Sequence, residues 1–379
     1  MKKTLILLTI TALIVPVLAR DYQSEYEAIA NTEAAQTFFA GIDQADLVDA
    51  VAEICSERDM EHVNMVFRTG IGDNMNIPLV QNQLIQIVTD PYYEDSFRWV
   101  TISELDDANF DAVSRESFTN ALIETATDQS ENVHLRGKAI SVSGSFDEQS
   151  ITNMLINLLD ENNDVVRNNC GRAIRKNVYF YTDSEKSQIV QRIANITSSD
   201  ITSLLRMKAL ITVLGHFRNT ESEQLLLTLL NQVENEEQLS PVVYSLRKYP
   251  TTDNAVEILG RYEEILNSPT LTDKTGLELT LYGYIKENQD VVNSLAQVGT
   301  AGSKRAYLKA LIVSRSNDAS QVSIVTPMLE DSDPAIRLEA VHALHFLLNH
   351  ADEEIVFGTH RAGETDQTVL YWIGRYIGV

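Results

Sequence analysis

The sequence is poor in the residues that cross-link or interrupt a chain. Its 379 residues include 2 cysteines, 8 prolines and 16 glycines, and no Pro/Gly/Ser-rich linker divides it. Cys55 and Cys170 are too few for a disulfide framework. They also fall in helical segments about three repeat lengths apart, so we predict buried free thiols. The missing linker favours one continuous helical array over two separate globular domains.

Basic residues are also scarce. The sequence has 30 Lys and Arg against 54 Asp and Glu, and a net charge of -24. Nucleic-acid binding needs clustered Lys and Arg, so this balance argues against a nucleic-acid partner. Anionic membrane surfaces are disfavoured for the same reason. A basic protein partner, calcium ions or simple solubility in a saline medium would each account for this balance, and solubility is the default interpretation.

Long apolar runs are confined to the start of the sequence. Lys2 and Lys3 precede an apolar run from Leu5 to Leu18, which ends in Val-Leu-Ala before Arg20. This order is typical of a bacterial secretory signal at residues 1–19, with a retained anchor as the alternative. We therefore predict an exported, periplasmic or secreted protein. Later apolar runs are shorter than the roughly 18 residues of a membrane span.

Catalytic motifs are missing as well. The sequence contains no H-E-x-x-H, G-x-S-x-G or Walker loop, and none of its seven histidines is followed by glutamate. The sequence therefore predicts a protein that is not an enzyme and has no cofactor. A weak metal site is the remaining candidate. His342 and His345 lie one helical turn apart, with Glu339 another turn before them, a spacing that can hold a metal ion.

What the sequence does have is a repeated helical pattern. In the stretch from Leu329 to Leu348, a polar turn is followed by Asp333 as N-cap and Pro334 at the first helical position. Ile336, Ala340 and Leu344 then recur every four residues and predict a buried stripe. One such helical hairpin cannot bury its apolar face alone, so it needs stacked neighbours.

Further copies of this pattern precede it along the chain. They share an arginine placed directly after an apolar residue and three residues before a small core residue. The arginines in this register are Arg136, Arg167, Arg206 and Arg337, with a weaker copy around Phe97 and Arg98. Between Ala209 and Ala310 the copies keep the helical period but lose the arginine register. Counted through these copies, the steps from Ala139 to Ala310 are about 30 to 39 residues, within the range of α-solenoid repeats.

The polar turn, the Ile336–Arg337 pair and the small–large rhythm that follows resemble HEAT repeats, specifically the short HEAT-like repeats also found in phycobilisome lyases. The resemblance implies an all-α fold, an α-solenoid of stacked helical hairpins. It also implies that Arg136, Arg167, Arg206 and Arg337 pair with acidic residues of adjacent repeats, forming a ladder. Iron-binding HEAT-repeat hydroxylases are similar in fold but use His-Glu pairs, which are missing here.

The pattern predicts four segments: a signal at 1–19, a helical capping region at 20–89, the repeats at 90–349 and a C-terminal cap at 350–379. Arg68 to Pro78 is predicted as a loop, and a second loop after His350 is predicted to lead to one short helix. A long helical surface without catalytic motifs indicates a monomeric scaffold that binds a protein partner. The alternative is an enzyme or enzyme-accessory protein of the HEAT-like lyase type.

Overall fold

A computed structural model describes residues 20–29, 32–266 and 274–379 of the chain. Every regular element within these ranges is helical, and they contain no strand. The predicted secretory signal at residues 1–19 lies outside the described residues. Contacts divide the chain into two compact units that meet between Ala121 and Leu122.

The first unit begins with short antiparallel helices. α1, α3 and α5 pack in one layer, and α2, α4 and α6 pack in a second layer. α7 crosses the junction between the units. The bounds are α1 Tyr22–Glu27, α2 Thr32–Ala40, α3 Leu47–Cys55, α4 Met60–Gly70, α5 Pro78–Ile87, α6 Asp95–Leu105 and α7 Ala112–Thr127, with a 3₁₀ turn at Gly72–Asn74.

The second unit continues with hairpins of the same kind. Its helices are α8 Val133–Ser143, α9 Gln149–Leu158, α10 Asp164–Lys176, α11 Asp183–Arg206, α12 Lys208–Phe217, α13 Thr220–Leu230, α14 Glu236–Leu246, α15 Thr252–Leu266, α16 Lys274–Glu287, α17 Gln289–Val298, α18 Ala301–Ser314, α19 Val322–Val325, α20 Pro334–Leu347, α21 His350–Arg361 and α22 Gln367–Ile377. Two 3₁₀ turns, Ala319–Gln321 and Thr326–Glu330, flank α19.

The helices of the second unit form two layers. The even-numbered helices from α8 to α22 pack each against the next, and we call them the B helices. The odd-numbered helices α9, α11, α13, α15, α17 and α21 lie in the other layer and are called the A helices. This arrangement is the predicted α-solenoid of stacked helical hairpins, and the fold prediction is confirmed.

The helix starts follow the capping chemistry of the sequence. In the stretch that defined the repeat, Asp333 accepts a hydrogen bond from the Ala335 amide, and Pro334 occupies the first turn of α20. Ile336, Ala340 and Leu344 are all buried. The predicted N-cap and buried stripe are therefore confirmed.

Two predicted loops differ from the structure. The segment from Arg68 to Pro78 is shorter as a loop, because α4 continues to Gly70 and a 3₁₀ turn follows. After His350 the structure has a full helix, α21. Asn349 caps it by accepting from the Asp352 amide, and acidic residues in its first turn and basic residues in its last turn complement the helix dipole. The C-terminal segment is thus a complete hairpin.

Glycines set how closely neighbouring B helices approach. A Cβ at Gly171 of α10 would lie 2.7 Å from the Leu210 amide nitrogen of α12. A Cβ at Gly215 of α12 would lie 2.8 Å from the Ser245 Cα of α14. Larger residues would force these helices apart, so the two glycines fix the register of α10, α12 and α14.

Both cysteines are free and buried. Burial raises the pKa of the Cys55 thiol to about 12, and it also raises the pKa of Cys170. Thiols with raised pKa values contain little thiolate at neutral pH and react slowly. The prediction of buried free thiols is confirmed.

The predicted segment boundaries at residues 90 and 350 lie between consecutive helices and do not interrupt the helical array. The boundary at residue 90 falls between α5 and α6, inside the first unit, and the boundary at residue 350 coincides with the start of α21.

Within the described ranges, every helix is too short or too polar to cross a membrane.

Candidate functional site

Four arginines share one position and one role. Each is the fourth residue of its helix, and each donates to a carbonyl at the end of the helix that precedes it. The pairs are Arg98 Nη2 to Val88 O at 2.9 Å, Arg136 Nε to Ala126 O at 3.0 Å, Arg167 Nε to Leu159 O at 3.2 Å and Arg337 Nη1 to Asp331 O at 2.9 Å. Carbonyls at a helix end lack helical donors, so these arginines cap the helix.

Cations at this position also reach the next hairpin, as three pairs among the described residues show. Each pairs with a carboxylate 25 or 27 residues later in the chain. The pairs are Arg136 with Glu161 at 2.6 Å, Lys304 with Asp331 at 2.6 Å and Arg337 with Glu364 at 2.8 Å. The resemblance had implied acidic partners of this kind, whereas Lys304 was not singled out from the sequence. It is the fourth residue of α18.

Glu364 is the most completely bound of these carboxylates. It accepts from Arg337 Nε and Nη2, from the amides of Thr365 and Asp366, and lies 3.0 Å from His360 Nε2. The Arg337 guanidinium is the main reason why the pKa of Glu364 falls to about 2. Charge-assisted bonds to a carboxylate with 1% side-chain exposure tie α20 to the α21–α22 hairpin.

Arg206 lies outside this arrangement. It is the last residue of α11, and the fourth position of α12 holds Ile211 instead. The backbone of Asp200 is non-helical, and its carboxylate accepts from the Ser203 amide, which starts a new helical turn. That turn ends at Met207 before α12 begins. Arg206 is consequently exposed, and no carboxylate within the described ranges lies at ion-pair distance from it.

The candidate metal residues do not converge. Each has a protein partner at hydrogen-bond distance: Glu339 Oε1 lies 3.1 Å from Arg305 Nη2, His342 Nδ1 lies 2.8 Å from Tyr376 Oη, and His345 Nδ1 lies 2.6 Å from Glu353 Oε1. Burial lowers the pKa of His342, with a smaller contribution from His345. Within the described part of the chain, no three His, Cys, Asp or Glu side chains are grouped as metal ligands.

The outward side of the B helices carries large apolar side chains. Tyr244 of α14 and Tyr282 of α16 are each 44% exposed. The Arg247 guanidinium lies 4.2 Å from the centroid of the Tyr244 ring, and its Nη1 donates to Glu287 at 2.7 Å. Arg247 thus links α14 to α16 and lies over the Tyr244 ring. Aromatic residues and arginine are the residue types enriched in protein interfaces.

The first unit contains a separate cavity of about 450 Å³. Tyr26, Arg58 and His62 are among its lining residues, and Arg58 forms an ion pair with Glu27. Its partly polar lining and its shape do not point to one class of ligand.

Comparisons with known proteins identify the fold. No protein-family model matches the chain, and the search of curated proteins found no match. Two solved structures, Kap121p bound to Ste12p and Kap121p bound to Pho4p, each match with a TM-score of 0.55 at 11% identity. Each alignment covers 94% of this chain and 44% of Kap121p. The chain therefore spans less than half the length of Kap121p.

A homology model of the full-length AP-3 complex also matches, with a TM-score of 0.49 at 13% identity, over 86% of this chain and 59% of the matched chain. At 11% identity the Kap121p matches show the fold alone. They are solenoid-like helical repeat proteins, which agrees with the HEAT-like repeats read from the sequence.

Proposed function

We propose that this chain is an exported, non-enzymatic scaffold that binds a protein partner through the outward side of its B helices. Tyr244, Tyr282 and the linking Arg247 are the observation that supports this proposal. Two tyrosines nearly half exposed on neighbouring helices offer rigid apolar area, which costs little side-chain entropy when a partner covers it.

The comparisons support the proposal at the level of the fold. The two similar structures are both complexes, of Kap121p bound to Ste12p and of Kap121p bound to Pho4p. A continuous layer of B helices gives this chain a surface of the same general kind. The more specific likeness to phycobilisome-lyase repeats rests on the repeat sequence, and an accessory role of that type is the alternative.

Export and the basic character of the partner are proposals from the sequence. The order of charged, apolar and small residues at 1–19 supports export. The net charge of -24 supports a basic partner, which would meet the acidic parts of the surface. Detection of the chain in the periplasmic or culture fraction, with Arg20 as the new N-terminus, would test export.

Partner binding is tested by purifying the exported protein with a bound partner and measuring the mass of the complex. We expect Tyr244→Ala/Tyr282→Ala to weaken the complex by about tenfold or more. The matched control is Val298→Ala/Ile355→Ala, which removes two exposed apolar side chains from A helices. Equal complex formation by all three proteins would contradict the proposed face, and purification as a partner-free protein would contradict the scaffold function.

A further inference from the structure

Most of three neighbouring B helices, together with the turns that follow them, lies in stretches without acidic residues. Residues 165–182, 201–220 and 238–252 contain no Asp or Glu, although the chain has 54 of them. The same stretches contain nine Lys and Arg residues: Arg167, Arg172, Arg175, Lys176, Arg206, Lys208, Arg218, Arg247 and Lys248. The acidic excess of the chain is therefore reversed in these stretches, which begin after Asp164 at the start of α10 and after Glu236 and Glu237 at the start of α14.

The fold brings some of these cations together at one end of the B helices. The close contacts at Gly171 and Gly215 hold the three helices in register, so that their C-terminal ends lie side by side. Arg175 is in the last turn of α10, Arg218 follows α12 and Lys248 follows α14. His216, in the last turn of α12, lies among them.

Arg175, Arg218 and Lys248 are all close enough to His216 to affect the pKa of its imidazole. Burial lowers its pKa, and Arg175, Lys248 and Arg218 lower it further through repulsion of the imidazolium. Three cations from the ends of three helices therefore lie near the same imidazole. Arg218 also holds a left-handed backbone conformation, with φ of 54°, at a position that usually favours glycine or asparagine.

The cations of this group have no acidic partners. Within the described ranges, no carboxylate lies at ion-pair distance from Arg175, Arg218 or Lys248, and the two arginines are exposed. Most other cations on B helices are paired, as Arg136, Lys304 and Arg337 are. Unpaired like charges repel one another, so this group is ready to gain from an anionic ligand.

Exposed aromatic residues lie next to this group in the chain. Tyr179 and Phe180, in the turn after α10, are 91% and 66% exposed. Arginine and aromatic residues together are the composition of protein-binding hot spots, whereas cations that serve only the helix dipoles need no apolar neighbours.

We propose that Arg175, Arg218 and Lys248, with Tyr179 and Phe180 beside them, form the docking site for an acidic segment of a partner protein. The inference rests on the proposed scaffold function and assigns one binding region to it, which takes an acidic segment of the partner, whereas the acidic remainder of the surface would meet the partner's basic parts. Charge complementarity selects a carboxylate-rich peptide as the occupant. A long nucleic acid fits less well, because the acidic remainder of the chain would repel its phosphates.

The test uses the full mature chain and a fluorescent peptide of glutamate and glycine. Binding is followed by anisotropy at about 50 mM and about 500 mM salt, where screening differs strongly. We expect binding at low salt that weakens at high salt. We expect Arg175→Glu/Lys248→Glu to weaken binding about tenfold or more, and Arg175→Gln/Lys248→Gln to have a smaller effect. Arg218 is left unchanged because of its backbone conformation.

The matched control is Arg206→Glu/Arg361→Glu. It makes the same change of charge at two exposed arginines, one beyond the opposite end of α12 and one on α21. This control should bind the peptide within about twofold of the wild type, and all variants should keep the wild-type helical circular dichroism. An equal loss in the control would show a general field effect and overturn the local site.

Three other results would also overturn the inference. These are no peptide binding at low salt, tighter binding of a single-stranded oligonucleotide of equal charge, and self-association that competes with the peptide. A protein partner that depends on Tyr244 and Tyr282 while the acidic peptide fails to bind would refute this inference alone. Absence of both would refute the scaffold proposal as well.

Discussion

The hairpin that ends in α20 and the hairpin that ends in α12 have similar sequences, but their repeat arginines make different contacts. In the first, Arg337 is the fourth residue of its helix, caps the preceding carbonyls and binds Glu364. In the second, Arg206 precedes the helix and is exposed. Whether a repeat arginine makes these contacts therefore depends on its position relative to the end of the preceding helix. An arginine in the right sequence register is not enough.

The largest effect should come from removing the best-tethered arginine. Arg337→Ala leaves the buried Glu364 carboxylate without its main partner, so we expect the free energy of unfolding to fall by about 3 kcal/mol. Urea denaturation monitored by circular dichroism measures this loss. A loss below about 1 kcal/mol would mean that Arg337 stabilises the protein no more than an exposed surface ion pair does, and its contribution would then not differ from that of Arg206.

Acid should weaken the same tether. Glu364 has a pKa of about 2 in the folded protein against an ordinary value of 4.5. A carboxylate with a lowered folded pKa stabilises the protein above its unfolded pKa, so this contribution should be lost as the pH falls from about 4.5 to about 2. We expect a wild-type stability loss of about 2 kcal/mol from this group. Glu364→Gln should flatten that part of the pH profile, and identical profiles would contradict the assignment.

Arg167 should show an intermediate effect. It is buried and donates to the Leu159 carbonyl, and Arg167→Ala would leave that helix end without its donor. We expect a loss of about 1–2 kcal/mol in the free energy of unfolding, measured by urea denaturation. Arg167→Lys serves as the charge-conserving control and should recover part of the loss. A neutral Arg167→Ala would show that the carbonyl is satisfied without the arginine.

The smallest effect is expected at Arg206. Its side chain is exposed, so Arg206→Ala should change the free energy of unfolding by less than about 0.5 kcal/mol. The measurement is the same denaturation experiment, run beside Arg167→Ala. If Arg206→Ala were as destabilising as Arg167→Ala, this result would contradict the helix start at Lys208 and show that the two arginines stabilise their hairpins in the same way.

The sequence predicted the fold well because its signals were local. Asp333 and Pro334 mark a helix start by capping chemistry alone, and the spacing of Ile336, Ala340 and Leu344 shows which side is buried. Those signals repeat along the chain, so stacked hairpins followed from them. The helix from His350 to Arg361 was missed because the apolar spacing around it is weak, although Asn349 was a readable cap.

The candidate sites depended on longer-range facts. The register that aligned Arg206 with Arg167 could not show that Asp200 starts an extra helical turn and shifts the helix start to Lys208. The spacing of His342 and His345 could not show that their Nδ1 atoms are hydrogen-bonded to Tyr376 and Glu353. The grouping of Arg175, Arg218 and Lys248 had one readable signal, the acid-free stretches, but their proximity depends on how three hairpins stack.

The helix break at Asp200 has a consequence for how the second unit opens. In stacked repeats, opening is governed by each hairpin and its contacts with its neighbours, so a weakly tethered hairpin is where fluctuations begin. The backbone break and the unpaired Arg206 place such a point at the start of α12. Amide protons between the break at Asp200 and the start of α12 should therefore exchange with solvent sooner than those of α10 or α20, while the closely packed contacts of α12 with α10 and α14 keep the stack together.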